Sequence, residues 1–306
     1  MSLFPPPTVI ATEVFCRIPD QYRKKGVSTH WVKTHRGGAS TECYLEGPSF
    51  DRAGNLYITD IPFGRVFRIS PQGDCALVAE YEGEPNGLKI HRDGRIFITD
   101  HARGIMQLDP ANGAVTTFFG SEQIADYKGV NDLVFAGNGD MYFTDQGETG
   151  LHDPTGRVYR LTADSRLQTV LANLPSPNGL VFNAAETILH VACTRANAVW
   201  RLPMAKDGST SKVNVGIYLS GGSGPDGLAM DEAGGLTVAH NQMGAVWMFD
   251  KKGIPRYKFE SCRGDHTTNI AYGGAGNKFL YICEAESGCV LRAESPVAGR
   301  LMYSHM

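Results

Sequence analysis

The sequence predicts an all-β protein, a six-bladed β-propeller with four antiparallel strands per blade and an N-terminal strand closing the last blade. Three observations predict it. One phrase recurs six times along the 306 residues: a polar anchor beside Gly or Pro, an apolar run, a glycine turn, then a strand ending in a polar residue. The anchors fall at 46, 86, 131, 178, 226 and 269, spaced by 40, 45, 47, 48 and 43 residues. Such a period belongs to repeat architectures and is foreign to a β-sandwich. No copy contains the helical pattern of about 10–15 residues that a βαβ unit requires. Glycine supplies 36 of the 306 residues, well above the usual ~7%, so tight turns are frequent.

Taken in order, Thr12-Glu13-Val14-Phe15-Cys16-Arg17-Ile18 reads as a strand that supplies the missing outer strand of the last blade and covers its open edge. Residues 19–45 then interrupt the pattern with Tyr22, His30, Trp31, His35, Arg36 and Tyr44 among Lys and Gly. A connection from an outer strand to the next inner strand opens on the ligand face, so this insertion is expected to be lid-like within a single domain of residues 1–306. Removing residues 22–38 is expected to change KM or substrate preference; unchanged kinetics would dispose of the lid.

The blades follow. Glu46-Gly47-Pro48 leads to Leu56-Tyr57-Ile58-Thr59-Asp60, and Pro85-Asn86-Gly87 to Ile96-Phe97-Ile98-Thr99-Asp100. Val130-Asn131-Asp132 leads to Met141-Tyr142-Phe143-Thr144-Asp145, and Pro177-Asn178-Gly179 to Leu189-His190-Val191-Ala192-Cys193. Pro225-Asp226-Gly227 leads to Leu236-Thr237-Val238-Ala239-His240, and Thr268-Asn269-Ile270 to Leu280-Tyr281-Ile282-Cys283-Glu284. In four copies the anchor lies 14 residues before the strand-end polar residue, with Gly at anchor +8. Third and fourth strands follow, such as Arg65-Val66-Phe67-Arg68-Ile69 and Ala76-Leu77-Val78-Ala79.

In a propeller these anchors ring one mouth of the central channel. Two carboxylates, Glu46 and Asp226, converge there with the amides of Asn86, Asn131, Asn178 and Asn269. A single Pro-Asn-Gly is an ordinary turn. Oxygen-ligand residues held in register on one mouth point instead to a hard divalent cation, and no Cys or His joins them. Ca²⁺ is the first expectation, with Mg²⁺, Mn²⁺ and Zn²⁺ as alternatives. The strand ends Asp60, Asp100, Asp145, His240 and Glu284 lie near the same face, as do His101 and His266. Asp145, His240, His266, Asn86 and Trp31 are candidate substrate contacts; for most strand-end side chains the plainer expectation is a bond to a backbone amide.

The order and spacing of Glu46-Gly47-Pro48, Asn131-Asp132, Pro177-Asn178-Gly179-Leu180 and Pro225-Asp226-Gly227-Leu228 resemble the regucalcin/gluconolactonase family of six-bladed propeller hydrolases (senescence marker protein, gluconolactonase and luciferin-regenerating enzyme). The resemblance runs from about residue 12 to the end. It implies a catalytic divalent metal held by Glu46, Asn178 and Asp226, with Asn131 a fourth ligand or a substrate contact. It implies a lactone as small-molecule substrate, opened by water that Asp226 directs or deprotonates; in the phosphatase branch the same carboxylate has been proposed as nucleophile. Sugar-lactone members carry an arginine two residues before the Asn-Asp pair, where this chain has Gly129 with Lys128 beside it. Either Lys128 takes over that contact or the lactone is less hydroxylated. Two rival readings share the anchors: a phosphotriesterase of the diisopropyl fluorophosphatase type, and a non-catalytic ligand-binding propeller.

Composition narrows the rest. Lys+Arg 29 against Asp+Glu 32 gives a net charge of -3, and no basic run supplies a nucleic-acid surface. No stretch of 18 apolar residues suggests a membrane span, and the seven scattered cysteines include no CxxC pair, so the expectation is a cytoplasmic protein with reduced thiols. Gly221-Gly222-Ser223-Gly224-Pro225 fails the GxSxG pattern at its last position, and Gly273-Gly274-Ala275-Gly276-Asn277-Lys278 lacks the GK[ST] ending of a phosphate loop.

Overall fold

In the computed structural model, which describes residues 4–306, six sheets stand around one axis. The innermost strands are Leu45–Phe50, Pro85–Ile90, Val130–Phe135, Pro177–Phe182, Gly224–Met230 and Thr267–Gly273. Each packs against the next, and the sixth returns to the first, which closes the ring. Every blade is a four-stranded antiparallel meander, so the six repeats of the sequence are the six blades.

The N-terminal segment does more than close one blade. Glu13–Arg17 pairs antiparallel with Cys289–Glu294 and completes the sixth blade. Immediately before it, Thr8–Ala11 adds a fifth, parallel strand to the outer edge of the fifth blade, against Pro255–Glu260. Thr12 sits at the crossing, where its hydroxyl donates to the Glu260 carbonyl at 2.7 Å and accepts from Cys262 N–H at 3.0 Å. One short run of chain thus covers two exposed sheet edges and ties neighbouring blades together.

The pairing between first and second strands breaks at the same place in all six blades. Each inner strand carries a bulge just after its opening residues, between Glu46 and Ser49, Pro85 and Leu88, Val130 and Leu133, Pro177 and Leu180, Pro225 and Leu228, and Thr267 and Ile270. A bulge lifts one residue out of the ladder and re-aims its side chain. In five blades the anchor lies inside the bulge; in the first, Glu46 stays paired with Thr59 and the bulge follows directly after it. Glycine follows the anchor where neighbouring strands crowd the axis: a Cβ at Gly47 would lie 2.5 Å from the Asn86 carbonyl oxygen, and one at Gly179 would lie 2.4 Å from that of Asp226.

The strand-end carboxylates hold this arrangement from behind. Asp60 Oδ1 accepts from Tyr44 N–H at 2.7 Å, Asp100 Oδ2 from Glu84 N–H at 3.0 Å, and Asp145 Oδ1 from Gly129 N–H at 2.8 Å. Each amide belongs to the residue two before an anchor. The Thr preceding each Asp reaches the next blade: Thr59, Thr99 and Thr144 donate to the carbonyls of Asn86, Asn131 and Asn178. The recurrent Thr-Asp therefore clasps its own inner strand and couples it to the following one.

Between the blades lie the apolar clusters, each built from the facing sides of two sheets. The lower end of the axis holds an apolar cavity of about 100 Å³ lined by Ile90, Phe135, Leu180 and Tyr303, under the C-terminal turn Tyr303–His305. No described helix is long and apolar enough to cross a membrane, and all seven cysteines are free thiols.

Candidate metal centre and its lid

All six anchors are buried at the upper end of the axis: Glu46, Asn86, Asn131, Asn178, Asp226 and Asn269. Glu46 and Asp226 stand close enough to repel each other. Burial first, then the Asp226 charge, pushes the Glu46 carboxyl well above the usual range, against an opposing hydrogen bond from Asn269. Burial likewise lifts Asp226 to about 7, with Asp132 adding to the rise while hydrogen bonds from Asn241 and Asn178 and the charge of Arg195 oppose it. Two acids crowded in a dry ring cannot both ionise without a counter-charge.

The ring fits a divalent cation on its own chemistry. Its donors are carboxylate and amide oxygens, the set that a hard ion takes. Two of those oxygens, Asp226 Oδ1 and Asn86 Oδ1, are buried with no hydrogen-bond partner. An orphaned buried acceptor is costly, and a cation at the centre of the ring would satisfy it. The other Asp226 oxygen is fixed by Asn241 Nδ2 at 2.8 Å.

Below the anchors the channel is stoppered. Asn269 Nδ2 donates to Asp132 Oδ2 at 3.2 Å, and Lys89 Nζ stands 3.6 Å from Asp132 Oδ1. The ammonium supplies a positive charge at that depth, facing Asp132.

Among the candidate substrate contacts, the structure brings some to the mouth and engages others elsewhere. Asn131 reaches the ring, its amide donating to Gln146 Oε1 at 2.7 Å while Gln146 donates to Ser176 Oγ at 2.9 Å. Lys128 lies on the rim with Nζ 3.9 Å from Asp153. Trp31 is buried under the insertion, its ring 4.9 Å from that of Tyr44 and 5.0 Å from that of His35. His266 is held by Arg36, whose Nη1 lies 3.0 Å from its Nε2. Two expectations are corrected. The Asp145 carboxylate is taken up by the amides of Lys128 and Gly129. Both ring nitrogens of His240 are engaged, Nδ1 by Trp247 Nε1 at 3.1 Å and Nε2 with the Gly221 carbonyl at 2.9 Å. Buried polar groups must be paired, and here the backbone and, for His240, a side chain of the adjacent strand in its own blade take that place.

Residues 19–45 reach from the sixth blade to the third. Their one short helix, His30–His35, buries Trp31 and Val32 against Tyr44, Ile61 and Ala285. Thr29 caps it by accepting from Val32 N–H at 3.3 Å. One side is tied to the sixth blade by the contact of Arg36 with Glu286, the other to the third by His35 Nδ1 and Glu148 Oε1 at 3.3 Å. Sequence reasoning missed Asn241, Asp132, Gln146 and Lys89. Three left a trace there: Asn241 and Gln146 directly follow the strand-end His240 and Asp145, and Asp132 stands in the Asn131-Asp132 motif.

Gly129, at a φ of +136°, is pressed against His101: a Cβ there would lie 2.3 Å from the imidazole Cε1. The imidazole therefore fills the space that any side chain at 129 would need. Gly129→Ala is expected to lose about 1–3 kcal/mol of stability through backbone strain and displacement of that ring. Thermal melting against the unaltered chain checks it, and an unchanged midpoint would show that the ring yields freely.

The comparisons with known proteins agree on this architecture. A family model described as the SMP-30/Gluconolactonase/LRE-like region matches residues 45–286. Lactonase drp35 of Staphylococcus aureus (strain MRSA252) is 30% identical over 237 residues, covering 74% of this chain and 71% of the relative. Among solved structures, the calcium-binding protein regucalcin from Agrobacterium tumefaciens superposes with a TM-score of 0.78 at 21% identity, over 98% of this chain and 99% of its own. A gluconolactonase from Xanthomonas campestris does so at 0.72 and 22% identity, over 93% and 98%. At that identity the two structures speak for the fold.

Proposed function

The chain belongs to the SMP-30/gluconolactonase/LRE-like family, and on that premise we propose that it is a divalent-metal-dependent lactonase. The observation that carries the proposal is the buried ring in which Glu46 and Asp226 face each other among amide oxygens, with one Asp226 oxygen left without a partner. Glu46, Asn178 and Asp226 would hold the ion, with Asn131 as a fourth ligand or a substrate contact. Ca²⁺ is the natural choice for oxygen ligands at a rigid site. Bound there, the ion supplies Lewis-acid polarisation of an ester carbonyl.

The protein does the rest. Asn241 fixes one oxygen of Asp226 and leaves the other directed at the ring, where it orients a water and takes its proton as the water attacks the acyl carbon. Breaking the acyl–oxygen bond opens the lactone to a hydroxy acid, and the ring alkoxide takes up the proton. His101, filling the space beside Gly129, favours a lactone with fewer hydroxyls than an aldonolactone. The insertion would act as the lid over it.

A pH-stat assay over sugar, aliphatic and aryl lactones, with each of Ca²⁺, Mg²⁺, Mn²⁺ and Zn²⁺ and with chelator, tests the proposal. Hydrolysis of at least one lactone, abolished by chelator and restored by metal, is the expected result. Turnover of a phosphotriester and of no lactone would replace it with the phosphatase reading. No turnover with a metal bound would leave a ligand-binding propeller.

A further inference from the structure

Among the described residues, two groups of metal-ligating side chains lie outside the carboxylate ring. Asp265, His266 and Glu286 form one, but the Arg36 guanidinium already lies against both His266 and Glu286, so its charge is answered. The other is different. His35 ends the lid helix, His101 follows the second strand of the second blade, and Glu148 stands in the loop after the second strand of the third. One ligand atom from each lies within 4.8 Å of the other two. Among the described residues no Lys or Arg makes an ion pair with this group: Glu148 faces His35 at 3.3 Å, and the two imidazoles meet edge to face with centroids 5.4 Å apart. Neither ring nitrogen of His101 has a hydrogen-bond partner among the described residues.

Buried imidazoles are ordinarily pinned by a hydrogen bond, as His240 is in this same molecule. Of this half-buried pair, His35 pairs only with the Glu148 carboxylate and the His101 ring meets no hydrogen-bonding group among the described residues. Two imidazoles and one carboxylate, with the Glu148 side open to water, are the ligand set of a three-coordinate protein site with a free fourth position. That set suits a borderline d-block ion and suits Ca²⁺ poorly.

We propose that His35, His101 and Glu148 form a second cation site, selective for Zn²⁺ or a similar d-block ion, whose occupancy staples the lid to the second and third blades. The three ligands come from three separate parts of the chain, and only one of them belongs to the lid. An ion shared among them holds the lid down. Substrate entry and product exit then become slower, because they require the lid to move.

The test is a Co²⁺ titration of the full chain with the ring saturated by Ca²⁺. One further Co²⁺ per chain is expected, with the strong visible absorption of a four-coordinate nitrogen and oxygen site. Glu148→Gln and His35→Gln should each weaken it at least about 10-fold, the lower bound for disturbing even an outer partner of a metal ligand. Glu148 is exposed, so its substitution leaves folding intact. Glu46→Gln should leave the absorption unchanged, which separates this site from the ring. Zn²⁺ should lower kcat/KM of the unaltered chain and not of Glu148→Gln. Absence of bound Co²⁺ beyond the ring, or equal binding by both glutamine variants, would overturn the site. Binding without any kinetic effect would overturn the stapling.

Discussion

Replacing Asp226 by Asn is expected to reduce kcat by about 10²–10⁴, the range a positioned general base contributes. The substitution is nearly isosteric, and the side-chain oxygen can still accept from Asn241, so the ring should keep its shape. What it removes is a charge and a proton acceptor. Because the same carboxylate is a proposed ligand, the comparison must be made with metal shown to be bound at saturating Ca²⁺. Glu46→Gln is the control. It too removes one ligand charge and should raise the Ca²⁺ concentration needed for activity, yet leave kcat at saturation within about tenfold of the unaltered chain, since Glu46 is assigned no proton to move. If Asp226→Asn behaves like Glu46→Gln, Asp226 is a ligand only and the base lies elsewhere.

Arg65→Met is expected to destabilise the fold by about 3–5 kcal/mol, the cost of stripping one partner from a buried ion pair. Both side chains of the Arg65–Asp60 pair are essentially inaccessible to water. Arg65 donates to Asp60 and to the Tyr22 carbonyl, and Asp60 also receives the Tyr44 amide. Burial lifts the Asp60 carboxyl to about 6 even with the guanidinium opposing it. Without Arg65 that carboxylate would be buried with no counter-charge. For a chain of this size the melting temperature should fall on the order of 10 °C. The double variant Asp60→Leu with Arg65→Met should recover only part of the loss, because the Tyr44 amide and the Tyr22 carbonyl would still lack partners. Since Tyr44 leads directly into Glu46, both variants should also weaken metal binding. A melting point within about 2 °C of the unaltered chain would show the pair to be dispensable.

The strand-end carboxylates show where sequence reasoning stops. The constant offset between anchor and Asp60, Asp100 or Asp145 was visible, and it correctly implied a hairpin of fixed length. Whether each carboxylate faced the channel or the backbone was not visible. That depends on the bulge at the start of each inner strand, which turns the anchor toward the axis and leaves the amide two residues earlier facing the carboxylate. His240 departs for another reason: Trp247, two residues along the adjacent strand from its partner Ala245, donates its indole N–H to one ring nitrogen.

By itself the sequence determined the number of blades and the six anchors that stand at the start of their inner strands. These follow from local rules, the alternation of a half-buried strand and the turn preferences of Gly, Asn and Pro, repeated six times at nearly constant spacing. Tertiary structure alone decided what those residues meet. Lys89 against Asp132, His101 against Gly129, and His35 against Glu148 join parts of the chain with no pattern linking them in sequence. Closing the ring brings distant blades within reach of one another, and burial then forces every polar group there to find a partner or an ion.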